Sequence, residues 1–557
     1  MSKSNQQAVI IGLIAAVFYL PFLGGVHLFD WDEINFAEIA REMVLLQDYL
    51  RIHINYVLFT EKPPLFFWMQ AASMNAFGIG EYAARFPNAI CGVVTLVTLF
   101  KIGHKLQGNR LGWLWAAAYF GSILPALYFK SGIIDPWFNY FIFMGMYHLI
   151  LFVWKKDGFK GIALPKSKWY YLMVAGVFTG LAILTKGPVG YLITGLTLAV
   201  YWVGTRFRFF ITLPQFLLYT FIALAVTGTW FGMEAAKNGP QFFLEFTTRQ
   251  WELFSAEDAG HGGFPGYHFI VLLLGCFPAS IFLIRAHGKI QLEKAYEKDF
   301  KKWMLMLFWV VLILFTIVKT KIIHYSSMTY YPLTFLAALV LHKVIEGEIK
   351  VGKAMKFGLV SIALLAGTIT IALPFLGMNV DLLKPLFQQD QFALANLNAE
   401  VSWMGYESIV GVILIGATIT ALVLFKRNNP IRAIQFLFGG TAIFVSLTLI
   451  FFIAKIERYS QNAAISFYES KQDCHCYVEP EGFKSYGQLF YTQRQPGLIP
   501  EEHLNGNYKQ WLLTGETDKD AFFVSKVTTD KKLRSNPEME FLYEKNGFTF
   551  WKRSSKK

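Results

Sequence analysis

The sequence predicts a polytopic α-helical membrane protein of about 13 transmembrane helices with a small C-terminal α/β domain. Of its residues, 54% are hydrophobic and only 16% are charged, whereas soluble domains have about 25% charged residues. Apolar runs of about 20 residues, the length that crosses a bilayer, recur through most of the chain. Basic residues concentrate in alternate loops between these runs, as membrane topology demands.

The thirteen spans are assigned in order along the chain. The first is a retained helix rather than a cleaved signal, because it lacks a small-residue cleavage site and many spans follow it. Every even-numbered span ends in a basic loop, which places those loops and the N-terminus in the cytoplasm and the C-terminus outside. The net charge of +13 belongs mostly to these loops, so we expect no nucleic-acid partner. The predicted spans are 8–28, 82–103, 111–129, 135–154, 169–185, 188–204, 209–231, 267–285, 303–319, 328–345, 355–376, 408–425 and 432–454.

Two domains are predicted from a change of composition near residue 457. Residues 1–457 form the transmembrane domain. Residues 458–557 are polar and read as a periplasmic α/β domain, with strand-like runs "QWLLTG", "AFFVSKV" and "FTFWKR" and turn residues in "EPEG", "QPG" and "NGN". We expect a lid or recognition role for this second domain. The outer loops that carry the chemistry are 29–81, 130–135, 232–266 and 319–327.

The stretch "HLFDWDEINFAE", residues 27–38, places four carboxylates directly after the first span. Charge is costly in hydrocarbon, so these acids lie just outside it. Asp30 and Glu33 have the spacing of an N-terminal capping box, and apolar positions from Ile34 onward recur at helical spacing. We therefore predict an amphipathic helix along the interface, capped by Asp30 and Glu33. Asp32 is not needed for that cap and is free to accept a proton or a hydrogen bond from an acceptor.

Five cations lie in the outer loops, against the positive-inside trend. Lys62 precedes two prolines, which hold its backbone extended and start a helix after Pro64. Anionic lipid headgroups are one explanation for these cations. A site for a lipid-linked phosphate explains them better, because phosphate recognition uses clustered lysine and arginine. The five are Lys62, Arg85, Lys186, Lys319 and Lys321.

Further polar residues accompany the cations on the same membrane face. Asp135, in "IIDPW", either caps the fourth span or pairs with Asp32 across a cavity. His261, in a glycine-rich stretch, and His324, beside Tyr325, add candidate hydrogen-bond donors.

Metal ligands are sparse in this sequence. Glu61 and His261 are one candidate pair for a divalent ion, but two ligands are few for a metal site. Cys474 and Cys476, in "DCHC", are too close in sequence for an easy mutual disulfide and lack the partners of a four-ligand zinc site. We expect that no metal is required.

Several motifs resemble the GT-C glycosyltransferases. "DEINFAEIAREM" followed by "FTEKPPLFFWMQAASMNAFGIGEYAARFPNAI" looks like the first outer loop of the branch that holds the bacterial aminoarabinose transferases of lipid A and the protein O-mannosyltransferases. "IIDPW", "LTKGPVG" and "VKTKIIHYSSMTYYPLTFL" are similar to later motifs in the same order. The resemblance covers about residues 8–455.

The resemblance implies transfer of a sugar, with inversion, from a polyprenyl-phosphate donor to a lipid A-like lipid, glycan or protein acceptor at the periplasmic face of a bacterial inner membrane. Asp32 would be the essential acid and Asp135 a second cavity acid. Lys62, Lys186, Lys319 and Lys321 would contact the carrier phosphate or an anionic acceptor. This chain departs from the aminoarabinose transferases at Asn35, where they usually carry arginine, and in "QDY", where they usually carry "GDW".

Two other classes of protein compete with the enzyme. A transporter or flippase of lipid-linked sugars needs ionisable groups near mid-bilayer, whereas the apolar spans here are nearly free of acids. A non-catalytic assembly protein would use its C-terminal domain to bind partners and would tolerate loss of Asp32.

Overall fold

The computed structural model describes residues 2–255, 262–504 and 506–556. Long apolar helices dominate it, because a helix satisfies its own backbone hydrogen bonds where no water is present. Among the described residues, nine helices are long and apolar enough to cross a membrane, or ten if the bent pair Tyr267–Gly275 and Ala279–Ala286 crosses as one unit. The chain is therefore a multi-pass membrane protein, while the count of thirteen spans stays a prediction.

Ten α-helices lie in the described residues 2–255. Predicted span 82–103 and the first half of span 111–129 fall in the 40-residue helix α4, whose backbone breaks at Gln107 and Gly108. The helices α1 and α8 have 17 and 16 residues, which reach about 25 Å at 1.5 Å per residue, short of the roughly 30 Å hydrocarbon core. The bounds are α1 Lys3–Tyr19, α2 Asp32–Leu46, α3 Leu65–Phe77, α4 Glu81–Phe120, α5 Ile123–Leu127, α6 Asp135–Lys156, α7 Lys168–Lys186, α8 Val189–Gly204, α9 Leu213–Asn238 and α10 Gln241–Ser255.

The second half of the membrane part places one helix at its centre. The span that combines the 3₁₀ turn Ile323–Thr329 with helix α14 has 94% of its apolar window buried, against 22% for α9. His324 therefore enters the interior on the most enclosed span. The bounds are α11 Tyr267–Gly275, α12 Ala279–Ala286, α13 Ala295–Ile317, α14 Tyr330–Ile345, α15 Lys353–Met378, α16 Gln391–Asn396, α17 Ile409–Lys426, α18 Pro430–Thr448 and α19 Ala454–Arg458. A π-helical turn, Leu449–Ile453, joins the last two.

The C-terminal segment forms a four-stranded mixed sheet with short helices. A small hairpin, β1 His53–Ile54 and β2 Val57–Leu58, lies in the first outer loop. The C-terminal sheet has the order β3-β4-β6-β5, with β3 parallel to β4 and the other neighbours antiparallel. The segment contains β3 Tyr477–Glu481, β4 Ala521–Lys526, β5 Glu540–Lys545 and β6 Phe548–Arg553, and α20 Asn462–Glu469, α21 Gly487–Tyr491, α22 Glu501–Leu504, α23 Tyr508–Thr514 and α24 Lys531–Arg534.

Two local predictions in this segment are correct and two are wrong. "AFFVSKV" and "FTFWKR" form strands β4 and β6. "QWLLTG" is helical instead, in α23, because its apolar Leu512 and Leu513 pack into the core beside the sheet. "EPEG" begins inside strand β3 rather than in a turn, and β3 tolerates Pro480 because it is an edge strand.

Cys474 and Cys476 are joined in a disulfide. The prediction that they are too close to pair is wrong. The chain bends at His475, and the two Cα atoms lie 5.2 Å apart, within the usual range for disulfides.

The C-terminal segment shares a hydrophobic core with the first outer loop. Ile34, Phe36 and Phe66 of that loop belong to the same buried cluster as Phe467 and Phe550 of the segment. Burial of apolar surface at about 25 cal/mol per Å² holds the two together. The sheet is thus packed against the first outer loop and the ends of membrane helices, such as Ala84 of α4 and Leu184 of α7. Its status as a separate periplasmic domain, with the boundary at residue 458, stays a prediction.

Candidate active site

Helix α2 begins with a carboxylate that turns into the protein. Glu33 accepts hydrogen bonds from the Arg85 guanidinium, at 2.8 and 3.0 Å, and from the backbone N–H groups of Phe29 and Gly132. Arg85 holds the pKa of Glu33 below its usual value, against the upward effect of burial. Trp31 stands at the N-cap position without a capping side chain. The predicted cap by Glu33 is therefore wrong, because a buried guanidinium recruits this carboxylate.

Arg85 has no donor left for a substrate. Its five N–H groups are all used, by both oxygens of Glu33 and by the backbone carbonyls of Leu23, Val26 and His27. The side chain is only 4% exposed. The prediction that Arg85 binds a phosphate is wrong, since this residue fixes the start of α2 to α4 instead.

Asp30 also serves the fold rather than a helix cap. Its carboxylate accepts from the Ser485 hydroxyl and from the backbone N–H of Tyr486. Its own backbone N–H donates to Gln461 at 3.2 Å. Burial raises the pKa of Asp30 to about 6. The predicted cap is wrong here too, because Asp30 anchors the C-terminal segment beside the catalytic candidate.

Asp32 is the loop-one acid that faces open space. Its side chain is 41% exposed, and its Oδ2 lies 3.5 Å from Nε2 of His324. The same imidazole nitrogen lies 3.8 Å from Oδ2 of Asp135, whose side chain is 3% exposed. The carboxylates of Asp32 and Asp135 therefore both approach one nitrogen of His324.

Lys186 completes this cluster. Its Nζ donates to Oδ1 of Asp135 at 2.6 Å and lies 5.4 Å from the ring centre of Tyr325. Four separate elements supply the cluster, since Asp135 opens α6, Lys186 closes α7, His324 belongs to the 3₁₀ turn before α14 and Asp32 opens α2. Helix termini at one membrane face therefore converge on a single point.

A polar chamber of about 590 Å³ lies above this cluster. Lys62 enters it half-buried from the Pro-Pro turn, and α3 begins directly after Pro64 as predicted. Burial lowers the pKa of Lys62, as does the nearby charge of Lys186, while Glu61 and Asp32 oppose the change. The residues that line the chamber include Trp31, Asp32, Asn35, Glu61, Lys62, Lys186, Arg249, His324, Tyr325, Lys484 and Tyr486.

An apolar pocket of about 120 Å³ adjoins the chamber. Val189, Leu192 and Ile193 at the start of α8 form part of its wall. Lys62 and Lys186 line both the pocket and the chamber. A molecule with an anionic head and a hydrocarbon tail would fit here, with its head at Lys62 and Lys186 and its tail in the apolar pocket.

The lysines after α13 do not line the chamber. Nζ of Lys321 donates to the backbone carbonyls of Phe315, Thr316 and Val318. These carbonyls at the end of a helix have no partner within the helix, so a lysine satisfies them. Lys319 is exposed and absent from the chamber wall. This geometry does not favour a substrate-binding role for Lys319 or Lys321.

Only Glu61 of the candidate metal pair lies in the described residues. Glu61 pairs with Arg249 at 3.3 Å, and His261 lies outside the described residues. In the described part of the chain, no group of three or more histidine, cysteine, aspartate or glutamate residues is placed to share an ion. The expectation that no metal is required stays a prediction.

Sequence reasoning missed several residues of the chamber. Arg249 lies in a predicted outer loop, and that position was the only available signal. Lys484 and Tyr486 come from the C-terminal segment, about which no motif gave a hint. The sequence gives no separate signal for Trp31, which stands between two acids.

The chain matches the family model "Dolichyl-phosphate-mannose-protein mannosyltransferase" over residues 61–231. It is 25% identical over 377 residues to an undecaprenyl phosphate-α-4-amino-4-deoxy-L-arabinose arabinosyl transferase of Shewanella sediminis, covering 66% of each chain. A relative of the same name from Pectobacterium carotovorum is 24% identical over 340 residues, 60% of this chain and 58% of the relative. The chain thus spans less than two thirds of the length of these relatives.

Structural similarity extends over nearly the whole chain. The crystal structure of ArnT from Cupriavidus metallidurans bound to undecaprenyl phosphate superposes with a TM-score of 0.76 and 17% identity, covering 98% of both chains. The chain therefore has the fold of this ArnT structure. The resemblance drawn from the sequence motifs is confirmed. The superposition covers nearly the whole chain.

Proposed function

We propose that this chain is an integral-membrane glycosyltransferase that moves a sugar from a polyprenyl-phosphate donor to a lipid acceptor at the periplasmic face of a bacterial inner membrane. The observation that carries the proposal is the cluster of Asp32, His324, Asp135 and Lys186 at the junction of a polar chamber and an apolar pocket. The named relatives use an undecaprenyl-phosphate sugar, which agrees with this junction.

The donor phosphate binds between Lys62 and Lys186. Both lysines border the apolar pocket, which takes the first isoprene units of the carrier, and the sugar then lies in the chamber. Fixed cations stabilise the phosphate as it leaves, because their charge is already oriented before the reaction begins. Asp135 holds the Lys186 ammonium group in place through the 2.6 Å contact.

Asp32 acts on the acceptor. When the acceptor is a hydroxyl, the carboxylate removes its proton while the oxygen attacks the anomeric carbon. The bond from the anomeric carbon to the carrier phosphate breaks, a bond to the acceptor oxygen forms and the proton passes to Asp32. When the acceptor is itself a phosphate, no proton need be removed, and Asp32 positions it. A single displacement inverts the anomeric centre and requires no covalent enzyme intermediate.

His324 orients the two acids. Its Nε2 lies 3.5 Å from Oδ2 of Asp32 and 3.8 Å from Oδ2 of Asp135, so one proton on this nitrogen attracts both carboxylates and is donated to one of them at a time. None of these steps depends on a metal ion, and Glu61 already has Arg249 as a partner.

The identity of the sugar and of the acceptor depends on the chamber wall. Asn35 stands where the aminoarabinose transferases usually carry arginine, and its side-chain oxygen is buried without a hydrogen-bond partner. A neutral amide at this position removes one charge that an anionic substrate would contact. A lipid A-like acceptor fits the relatives best, with aminoarabinose or another sugar as the group transferred.

Turnover by purified protein tests this function. The protein in lipid nanodiscs is incubated with undecaprenyl-phosphate-linked aminoarabinose, or with other undecaprenyl-phosphate sugars, together with lipid A. We expect release of undecaprenyl phosphate and a mass increase of the acceptor lipid by one sugar residue. Absence of both products with every donor, from a protein that is folded and binds undecaprenyl phosphate, would contradict the proposal.

A further inference from the structure

The mouth of the chamber carries an aromatic pair and a lysine that the proposed chemistry does not use. Trp31 is 40% exposed, although a tryptophan beside a catalytic acid has no part in proton transfer. The rings of Trp31 and Tyr486 meet edge to face with centres 6.1 Å apart. Nζ of Lys484 lies 4.8 Å from the centre of Trp31 and 5.6 Å from that of Tyr486. All three residues line the chamber.

These residues are held rigidly. Asp30 accepts hydrogen bonds from the Ser485 hydroxyl and the Tyr486 backbone N–H, and Gly487 N–H donates to the Ser485 hydroxyl oxygen at 3.0 Å. The loop that presents Lys484 and Tyr486 is therefore fixed to the residue that precedes Trp31. A surface ordered before its ligand arrives loses less entropy on binding.

Exposure divides the chamber into a floor and a mouth. At the floor, Lys186 is 14% exposed, and its partner Asp135, which lines the adjoining apolar pocket, is 3% exposed. Asp32 and Glu61 are 41% and 36% exposed nearer to water. The donor phosphate occupies the floor, beside the apolar pocket. A single displacement brings the acceptor from the side opposite the leaving phosphate. Trp31, the chain neighbour of Asp32, lines the chamber and is exposed.

We propose that Trp31, Lys484 and Tyr486 form the acceptor subsite and bind a phosphorylated saccharide head group of the acceptor lipid. Aromatic faces and edges pack against the apolar C–H surface of a sugar, and a lysine binds phosphate as a point charge. The C-terminal segment thereby selects the acceptor, while the membrane part binds the donor. This inference rests on the proposed function for the identity of the acceptor.

Binding measured without turnover tests the subsite directly. Diphosphoryl lipid A and its monophosphoryl form are titrated against the protein in nanodiscs, and Kd is measured for wild type, Lys484→Gln and Tyr486→Leu. We expect Lys484→Gln to raise the Kd for diphosphoryl lipid A at least tenfold. The preference of the protein for the diphosphoryl over the monophosphoryl form should also fall. Tyr486→Leu should raise the Kd for both forms, whereas Tyr486→Phe, which keeps the ring, should bind both forms as wild type does.

Matched controls separate this subsite from a structural role. Lys471 also lies over an aromatic ring of the C-terminal segment, 4.0 Å from the centre of Phe522, but does not line the chamber, so Lys471→Gln should leave every Kd unchanged. The Kd for undecaprenyl phosphate should be unchanged in all variants. Equal lipid A affinities in wild type and Lys484→Gln, or an equal loss for undecaprenyl phosphate, would overturn the inference. Failure of turnover with intact, Lys484-dependent lipid A binding would count against the proposed reaction alone.

Discussion

Asp32 differs from the neighbouring carboxylates in what surrounds it. Asp30 and Glu33 are tied to groups from distant parts of the chain, whereas Asp32 faces the chamber with His324 as its neighbour. The sequence singles out Asp32 only as the acid that a capping box does not need. It could not reveal that Arg85 pairs with Glu33 and Ser485 with Asp30, because a capping box is a local pattern and these partners are 52 and 455 residues away.

Replacement of Asp32 tests its chemical role. Asp32→Asn keeps the size of the side chain but cannot take up a proton, so we expect kcat to fall about 10²- to 10⁴-fold with a hydroxyl acceptor. The Kd for undecaprenyl phosphate and the unfolding temperature should stay unchanged. Asp48→Asn is the matched control, because Asp48 lies in the same loop but does not line the chamber. It accepts from the backbone N–H groups of Leu50 and Arg51, which asparagine also satisfies, and its ion pair with Lys237 at 3.9 Å is solvent-exposed. Full turnover by Asp32→Asn would contradict the assignment.

The protonation state of Lys62 predicts an alkaline limit to activity. Its pKa is lowered by burial and by Lys186, and only the charged form attracts the donor phosphate. We therefore expect kcat/KM for the donor to fall as pH rises through a value below 10.5, the ordinary lysine pKa. Lys62→Arg should move that fall to higher pH, because arginine stays charged up to about pH 12. An identical alkaline limb in both proteins would exclude Lys62 as its source.

At the scale of elements, the position of α2 is set by a buried ion pair. Glu33 and Arg85 join this helix to α4 and to the backbone at Gly132. The sequence predicts the helix itself and the start of α3 after Pro64, since periodicity and proline are local signals. It does not predict that Lys321 closes the end of α13 instead of lining the chamber, because both roles suit a lysine at a helix end.

Loss of the pair should unfold the protein more easily. Glu33→Gln leaves a buried guanidinium without its counter-charge, which costs about 3–5 kcal/mol. We expect a matching fall in the free energy of unfolding, measured with denaturant in detergent micelles. Arg208→Met breaks the pair with Asp157, in which Arg208 is 73% exposed, and should cost at most about 1 kcal/mol. Similar small losses of unfolding free energy in both variants would show that the Glu33–Arg85 pair does not stabilise the fold.

At the scale of the whole molecule, the site is assembled from remote segments. Asp30 and Ser485 are 455 residues apart in the chain, and their contact brings the C-terminal segment to the chamber. Hydropathy predicts the multi-pass architecture and loop charge predicts which loops share a face. No local sequence pattern predicts that Lys484 and Tyr486 contact Trp31, because that contact depends on how the sheet packs onto the membrane helices.

Membrane orientation can be tested with reporter fusions. Basic loops after even-numbered spans place the C-terminal segment outside the cytoplasm. Alkaline phosphatase fused to the C-terminus should therefore be active in cells, and green fluorescent protein fused there should remain dark. Fusions at Lys160, in the basic loop between α6 and α7, should give the opposite pair of results. Activity of the phosphatase at Lys160 alone would reverse the topology and move the chamber to the cytoplasmic face.

The most direct test of the account is a cryo-electron microscopy structure of this protein with undecaprenyl phosphate in a nanodisc. The account predicts the phosphate within about 3–4 Å of Nζ of both Lys62 and Lys186, with the prenyl chain running along Val189 and Ile193 and Asp32 facing the phosphate across the chamber. A phosphate bound away from both lysines, with the chamber empty, would contradict it.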